Sequence, residues 1–395
     1  MNWSHALITV TVVLTSAGHP AWAIVTSDTA GTHVVTPGVP AFGLNLDGVA
    51  IVGGLLRSGQ PVSVCTGALI SDRHVLCAAH CFDTNDDGQL ESPLAPFLPD
   101  AIVFQLASGF MAIPYNFRLV QLPDNWPAEE ADVAVVTLTQ DAPPEIPRYP
   151  LYGGTSEVGR AAVFVGYGDT GHGSTGVIPG FDATPTKRAG LNRIDAVRDD
   201  LPGVEFLASD FDSGLAANNA LAIVGFESDL GFGADEVSSA SGDSGGPVFL
   251  SGAIAAVTAF GGRFDAADVN SSEDSSWGET SFDTRVSNYR SFILTATGGA
   301  AVFVPEPATL ALVAMGLLGL VPCARRPRGA KQTRRPEDKE RLSLLPAPCS
   351  LLIPLRALSS SLSLGSTELA EVRAEGRVSV SQTRRGEVNS VFPDP

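Results

Sequence analysis

Three short stretches hold side chains of the kind that move protons and attack carbonyls. The first, CTGALISDRHVLCAAHCF at residues 65–82, carries His80 between Ala79 and Cys81. Cys65 and Cys81 stand 16 apart, a spacing that suits a bridged hairpin, which would hold the imidazole firmly. A histidine beside a cysteine fits a metal ligand or a structural residue, but no C-x-x-C or H-x-x-x-H partner supports a metal. The second stretch, ADVAVVTL at 131–138, puts Asp132 at the mouth of an apolar run. A carboxylate there either orients an imidazole or simply ends a strand. The third, SGDSGGPV at 241–248, flanks Ser244 with glycines. Such a turn aims amide N–H groups at one spot beside a hydroxyl. Acyl transfer needs that pairing of a nucleophile with a preorganised oxyanion hole.

The elements around these residues narrow the choice. GDSGG also satisfies the G-x-S-x-G of α/β-hydrolases, whose order is serine, acid, histidine. Here the order is His80, Asp132, Ser244. The surroundings are short apolar runs bounded by Gly, Pro, Asp and Ser rather than βαβ units. VAIVGGLL, VSVCTGALI, AIVFQLA, DVAVVTLT, AAVFVGYG, LAIVGF, GPVFLSG and AIAAVTAF read as strands. Few stretches have a convincing helical period, and RVSNYRSFILTA is the best of them. Many short strands without alternating helices predict an all-β, antiparallel barrel or sandwich. No internal repeat of fixed period is present.

Composition agrees: 395 residues, 44% hydrophobic, with 41 glycines. Residues 1–304 hold 12 lysines and arginines against 34 aspartates and glutamates, a net of −22. Residues 305–395 hold 13 against 9, a net of +4. The acidic body repels phosphate backbones and excludes nucleic acid as a partner. The start, ALITVTVVLTSAG followed by AWA at 21–23, has the apolar core and small-x-small site of a secretory signal peptide. Export implies an oxidising compartment that permits a disulfide. A mostly apolar run from Ala308 to Ala324 precedes Arg325, Arg326 and Arg328. It sits at the short limit of a membrane span and predicts transient or stable membrane contact.

Residues of about 45–296 resemble the trypsin-like (chymotrypsin-fold) serine proteases. CAAHC, DVAVVTL, VGYGDTG, GDSGGP and TRVSNYRSFI carry the resemblance, in that order. It implies two antiparallel six-stranded β-barrels with a short C-terminal helix and a peptide or protein substrate in the cleft. Ser244 would attack the scissile carbonyl, His80 would carry its proton to the leaving amine, and Asp132 would hold the imidazole tautomer. The N–H groups of Gly242 and Ser244 would form the oxyanion hole, and Asp243 would be the internal partner of a new N-terminus. This chemistry requires no cofactor.

Departures from the pattern set further expectations. Cys77 replaces the usual threonine and reads as a small buried thiol. Ala240 stands where a cysteine usually staples the pocket. Counting back from Ser244, Ser238 falls at the base of the specificity pocket, with Phe260 and Gly261 on one wall and Ser281 narrowing the other. A neutral base predicts small or medium apolar side chains, unless Asp235 or Glu236 reaches in. The IVGG at 51–54, which usually opens the mature enzyme in this family, is read here as a mimic inside a strand. Signal cleavage after Ala23 would instead free Ile24 to pair with Asp243. Asp83, Asn85 and Asp87, with Gly88 next, resemble the first half of a calcium loop, but Leu94 occupies its twelfth position. Calcium is therefore the one ion the sequence suggests.

VPEP at 304–307, the apolar run and the arginines resemble a PEP-CTERM sorting signal. That implies a Gram-negative bacterium, processing by an exosortase-like enzyme after signal peptidase, and a destination in the periplasm, outer surface or extracellular matrix. The expected organisation is signal peptide 1–23, lead 24–44, protease domain 45–296, linker 297–303, sorting segment 304–329 and a disordered tail at 330–395. The resulting reading is a secreted serine endopeptidase. The alternative is a catalytically weak binding or matrix protein on the same fold.

Overall fold

The computed structural model describes residues 24–27, 33–94, 98–178, 185–201 and 204–306. All belong to one compact unit. The signal at 1–23, the apolar run at 308–324 and the tail at 330–395 lie outside the described residues. Among the described residues no helix is long and apolar enough to cross a membrane.

The fold is mostly β with few helices. Its first sheet is antiparallel, six-stranded, and ordered Gly109–Pro114, Ala101–Leu106, Val49–Leu55, Pro61–Leu69, His74–Cys77, Ala134–Thr137. Ile51 and Val52 are fully buried in the middle of this ladder, paired with Thr66 and Cys65 on one side and Val103 and Ile102 on the other. The IVGG therefore lies inside a central strand, and its first glycine marks a bulge after Val52.

The main path of the second, nine-stranded sheet runs Arg188–Arg193, Ala161–Gly166, Pro247–Leu250, Ala253–Arg263, Glu279–Arg285, Val204–Asp210, Ala196–Leu201. Neither sheet closes by a continuous ladder. In the first, the ends of the edge strands meet through one bridge, Tyr115 to Leu138. In the second, the Asn192 side chain reaches the Asp210 carbonyl at 2.9 Å. The expected pair of closed six-stranded barrels is thus realised only as two curled sheets. A hairpin, Ala196–Leu201 with Val204–Asp210, extends the second beyond six strands.

LAIVGF does not form the expected strand. Residues Ala220–Ile223 make one helical turn, capped by Asn219, whose side chain accepts from the Ala222 amide. The Asp210 carboxylate takes the Leu221 amide at 2.9 Å, and Gly225 ends the turn at φ 99°. These local acceptors outcompete a ladder for which no partner strand is at hand. Conversely, ETSFDTR and VEFLASD are too polar to stand out as strands, yet both lie centrally in the second sheet.

Both the lead, 24–44, and the linker, 297–303, make contacts with the body. Val25–Thr26 forms a strand between Gly171–His172 and Val237–Ser238. His33 is buried, with its ring nitrogens 3.0 and 2.9 Å from the Ala189 and Ala234 carbonyls. After the expected terminal helix, Arg290–Ala296, the chain turns back. Ala301 enters the core, and Phe303–Val304 rejoins the second sheet at its edge.

Candidate active site

His80 sits in a single 3-10 turn, Ala79–Cys81, immediately after the strand His74–Cys77. The Cys65–Cys81 disulfide is formed, as the spacing suggested, and ties this turn to the neighbouring strand. Asp132 lies just before the strand Ala134–Thr137, which pairs with His74–Cys77, so adjacent strand ends bring the two residues together. The Asp132 Oδ2 is 2.7 Å from His80 Nδ1, and Oδ1 accepts the His80 backbone amide at 3.0 Å. This two-point grip fixes the ring. Nδ1 faces the carboxylate, so Nε2 is the ring nitrogen turned away from Asp132. Asp132 is nearly buried while the imidazole is about a third exposed. A hydrogen bond from Thr284 Oγ1 to the Asp132 carbonyl, at 2.8 Å, anchors the acid from the second sheet.

Ser244 lies in the turn before the strand Pro247–Leu250. Thr66, from the first sheet, fastens that turn. Its amide donates to the Ser244 carbonyl at 2.8 Å, and its hydroxyl donates to the Gly242 carbonyl at 3.0 Å. Nothing in the sequence singles out Thr66 beyond its place beside Cys65. Gly245 must be glycine on two counts: its φ is +82°, and an added Cβ would fall 2.2 Å from the Thr66 carbonyl. Cys77 is buried under the same turn, donating to the Thr66 carbonyl at 3.1 Å, and burial holds its thiol protonated. Around the nucleophile, the amides of Asp243, Gly245 and Gly246 are each bonded to carbonyls. Among the described residues, no acceptor takes the amides of Gly242 and Ser244.

Asp243 is fully buried. Its Oδ1 accepts the Gly168 amide at 2.8 Å, and its Oδ2 accepts those of Ala240 and Ile24 at 2.9 and 3.1 Å. Burial, only partly offset by these amides, raises its carboxyl to about 7. Ile24 is itself buried and has φ +48°, a strained value for a β-branched residue.

Ser244 opens onto a cleft of about 200 Å³ whose walls include Ser239, Thr258, Phe260, Gly261, Glu273 and Glu279. Phe260 and Gly261, read from the sequence as one wall of a specificity pocket, both line this cleft. Ser238 and Ser281 stand one layer back: Ser281 Oγ lies 2.7 Å from Ser239 Oγ and 3.3 Å from Ser238 Oγ. Ser239 replaces Ser238 on the wall because Ser238 is occupied in the strand paired with Val25. Neither Asp235 nor Glu236 lines the cleft; the Glu236 carboxylate turns inward to the Phe232 amide. Glu273 and Glu279 were not singled out in the sequence.

In the loop read for calcium, the carboxylates meet both loop amides and a side chain from outside the loop. Asp83 is buried, and its oxygens accept from the Asp87 and Gly88 amides and Trp126 Nε1 at 3.1, 2.8 and 2.8 Å. Asn85 Nδ2 donates to Asp87 and Glu91. Among the described residues, the one group with metal-like geometry is Cys65, His80 and Cys81, and both of its sulfurs are spent in the disulfide.

Residues 49–184 match the trypsin family model, and residues 303–326 match the PEP-CTERM protein-sorting motif. The first match includes His80 and Asp132 and ends before Ser244. No curated protein matches the chain in sequence. Among solved structures, it is similar to neuropsin, a serine protease expressed in the limbic system of mouse brain, with 14% identity and a TM-score of 0.45 over 67% of this chain and 98% of that one. A mutant of human heparin binding protein is similar at 16% identity and a TM-score of 0.43, over 70% and 98%. A segment of the chain, residues 49–184, is thus similar to the trypsin family, and a PEP-CTERM protein-sorting motif, which marks proteins for export and sorting in Gram-negative bacteria, follows at 303–326.

Proposed function

We infer that the body is a serine endopeptidase acting through an acyl-enzyme. Ser244 attacks the scissile carbonyl. His80 accepts its proton at Nε2 and returns it to the leaving amine, and Asp132 steadies the imidazolium. The Gly242 and Ser244 amides receive the oxyanion. The observation that carries this reading is the 2.7 Å contact of Asp132 with His80, next to a nucleophile turn whose two central amides are left without acceptors.

Activation follows signal cleavage after Ala23. The freed α-ammonium of Ile24 would replace its amide beside Asp243, giving the buried carboxylate a charge partner. Cutting there also removes the peptide bond that defines the strained φ of Ile24, worth about 1–3 kcal/mol. The mature protein then acts on peptide substrates in the envelope or beyond, and an exosortase-like enzyme processes its C-terminal motif. The incomplete calcium loop is assigned no role in this scheme.

An intact mass spectrum of the secreted protein, before and after a fluorophosphonate probe, tests this. One adduct, absent in Ser244→Ala, with a mature start at Ile24, is the expected result. A folded, correctly processed protein that takes no adduct would instead make it a binding or matrix protein on a protease fold. An adduct on protein that starts elsewhere would sink the activation step alone.

A further inference from the structure

The sorting motif does not begin where the folded body ends. Its first four residues, 303–306, are part of the body. Phe303 and Val304 pair in parallel with Leu151 and Tyr152, outside the strand that continues to Ile254. The Leu151 amide donates to the Val302 carbonyl at 2.8 Å and the Gly153 amide to the Val304 carbonyl at 2.9 Å. Val304 packs on the apolar cluster of Tyr152, Leu250, Ala253 and Ala255. The Arg290 guanidinium covers the Phe303 ring at 4.7 Å from its centre.

Glu306 is held as well. One of its oxygens, Oε1, accepts the Thr155 amide at 2.9 Å and the Ser156 amide at 3.2 Å. These amides keep its carboxyl below the usual carboxylate range. The side chain lies over Gly154, where an added Cβ would fall 2.3 Å from Glu306 Cγ and 2.4 Å from its Oε1. The sheet edge supplies backbone pairing, an apolar seat, a cation over the aromatic ring and a two-amide cradle for the acid. A processing enzyme that reads V-P-E-P must grip this same backbone and carboxylate. In sequence, Pro307 alone separates Glu306 from the apolar run that starts at Ala308.

We propose that the Leu151–Ser156 edge is a docking surface for the chain's own sorting motif, and that the sorting enzyme acts only on molecules in which residues 303–306 have peeled away. The processing rate is then the intrinsic rate multiplied by the undocked fraction. This rests on the sorting motif and is independent of whether Ser244 is catalytic.

The test changes the body and leaves the motif intact. Gly154→Val drives a side chain into the space of Glu306. Arg290→Ala, a milder change, uncovers Phe303. In the purified chain, hydrogen exchange at the Leu151 and Gly153 amides reports docking. In an exosortase-bearing host, pulse-chase reports processing. The expected result is loss of protection together with processing about tenfold faster in Gly154→Val and a smaller gain in Arg290→Ala. Near-UV circular dichroism should stay unchanged. If Gly154→Val fails to fold, Arg290→Ala decides alone. The proposal is overturned if those amides are unprotected in the unaltered chain, or if protection is lost while the processing rate stays the same.

Discussion

Asp283 is fully buried, and among the described residues neither of its carboxylate oxygens has a hydrogen-bond partner of good geometry; its cross-strand neighbour Thr258 offsets only part of the burial cost of its charge. Alternate residues of a strand share a face. On the strand Glu279–Arg285, Glu279 lines the cleft, Ser281 bonds to Ser239 on its wall, and Asp283 comes next inward, opposite the wall residue Thr258. Burial raises Asp283 to about 7. An unpaired buried carboxylate is costly and gains most from an arriving cation. The prediction departs from the apolar preference suggested by the neutral Ser238. Peptides with lysine or arginine before the scissile bond should be cleaved best, and Asp283→Asn should lower kcat/KM for them by about 10- to 100-fold while sparing apolar ones. A peptide library profiled with both proteins measures this, and an unchanged profile would refute it. At the same scale, Asp132→Asn should keep the fold but lower kcat by about 10⁴, because the wrong imidazole tautomer then faces the serine. Steady-state kinetics on any cleaved peptide decides that point.

Among the elements, the two-residue strand at Val25–Thr26 has the largest consequence for its length. It bridges Gly171–His172 and Val237–Ser238, and so connects the start of the chain to the segment leading into the nucleophile turn. A chain starting at Ile24 should therefore be active, and one carrying a single extra residue before Ile24 should be at least about a hundredfold less active with an unchanged far-UV spectrum. The pH dependence of activity should follow the pairing. Activity would fall as the α-ammonium loses its proton, near or above its unperturbed value of about 8. In the chain with the extra residue, Asp243 has only amides for partners. Its raised carboxyl then makes that chain lose stability as pH climbs from about 4 to about 7. Equal activity of the two chains would dismiss the role given to Ile24.

At the scale of the whole molecule, the acidic composition has gone partly inside. Asp195, Asp210, Asp212 and Glu236 are all buried, with Arg193 the cation beside Asp195. Burial raises all four, Asp212 and Glu236 to about 9. Folded protein thus binds protons that the unfolded chain has already released. The sign is that stability falls as pH rises from about 4 toward 9. Lys187 opposes this. It is buried, donates to the Leu46 carbonyl at 2.6 Å and is lowered to about 7, so its contribution grows from pH 7 to above 10. The carboxylates are more numerous and should dominate below pH 9. Scanning calorimetry should give a Tm several degrees higher at pH 5.5 than at pH 8.5, and Glu236→Gln should flatten the slope. A Tm that holds or rises over that interval would count against the buried carboxylates as its cause.

What the sequence determined by itself is local. The glycines around Ser244, the spacing of Cys65 and Cys81, the strand-like run holding IVGG and the terminal helix are set by neighbours within a few residues, where backbone chirality and burial pattern decide. The mouth position of Asp132 was legible too, as was the order of His80, Asp132 and Ser244. Tertiary structure decided everything that depends on a partner far along the chain. Ser239 rather than Ser238 lines the cleft because Ser238 is paired with Val25. Thr66 becomes the clamp of the nucleophile turn 176 residues away. Glu306 belongs to the body because Gly154 leaves room for it. Long-range pairing is fixed by which edges and amides remain unsatisfied after the local elements form, and no stretch of sequence carries that information alone.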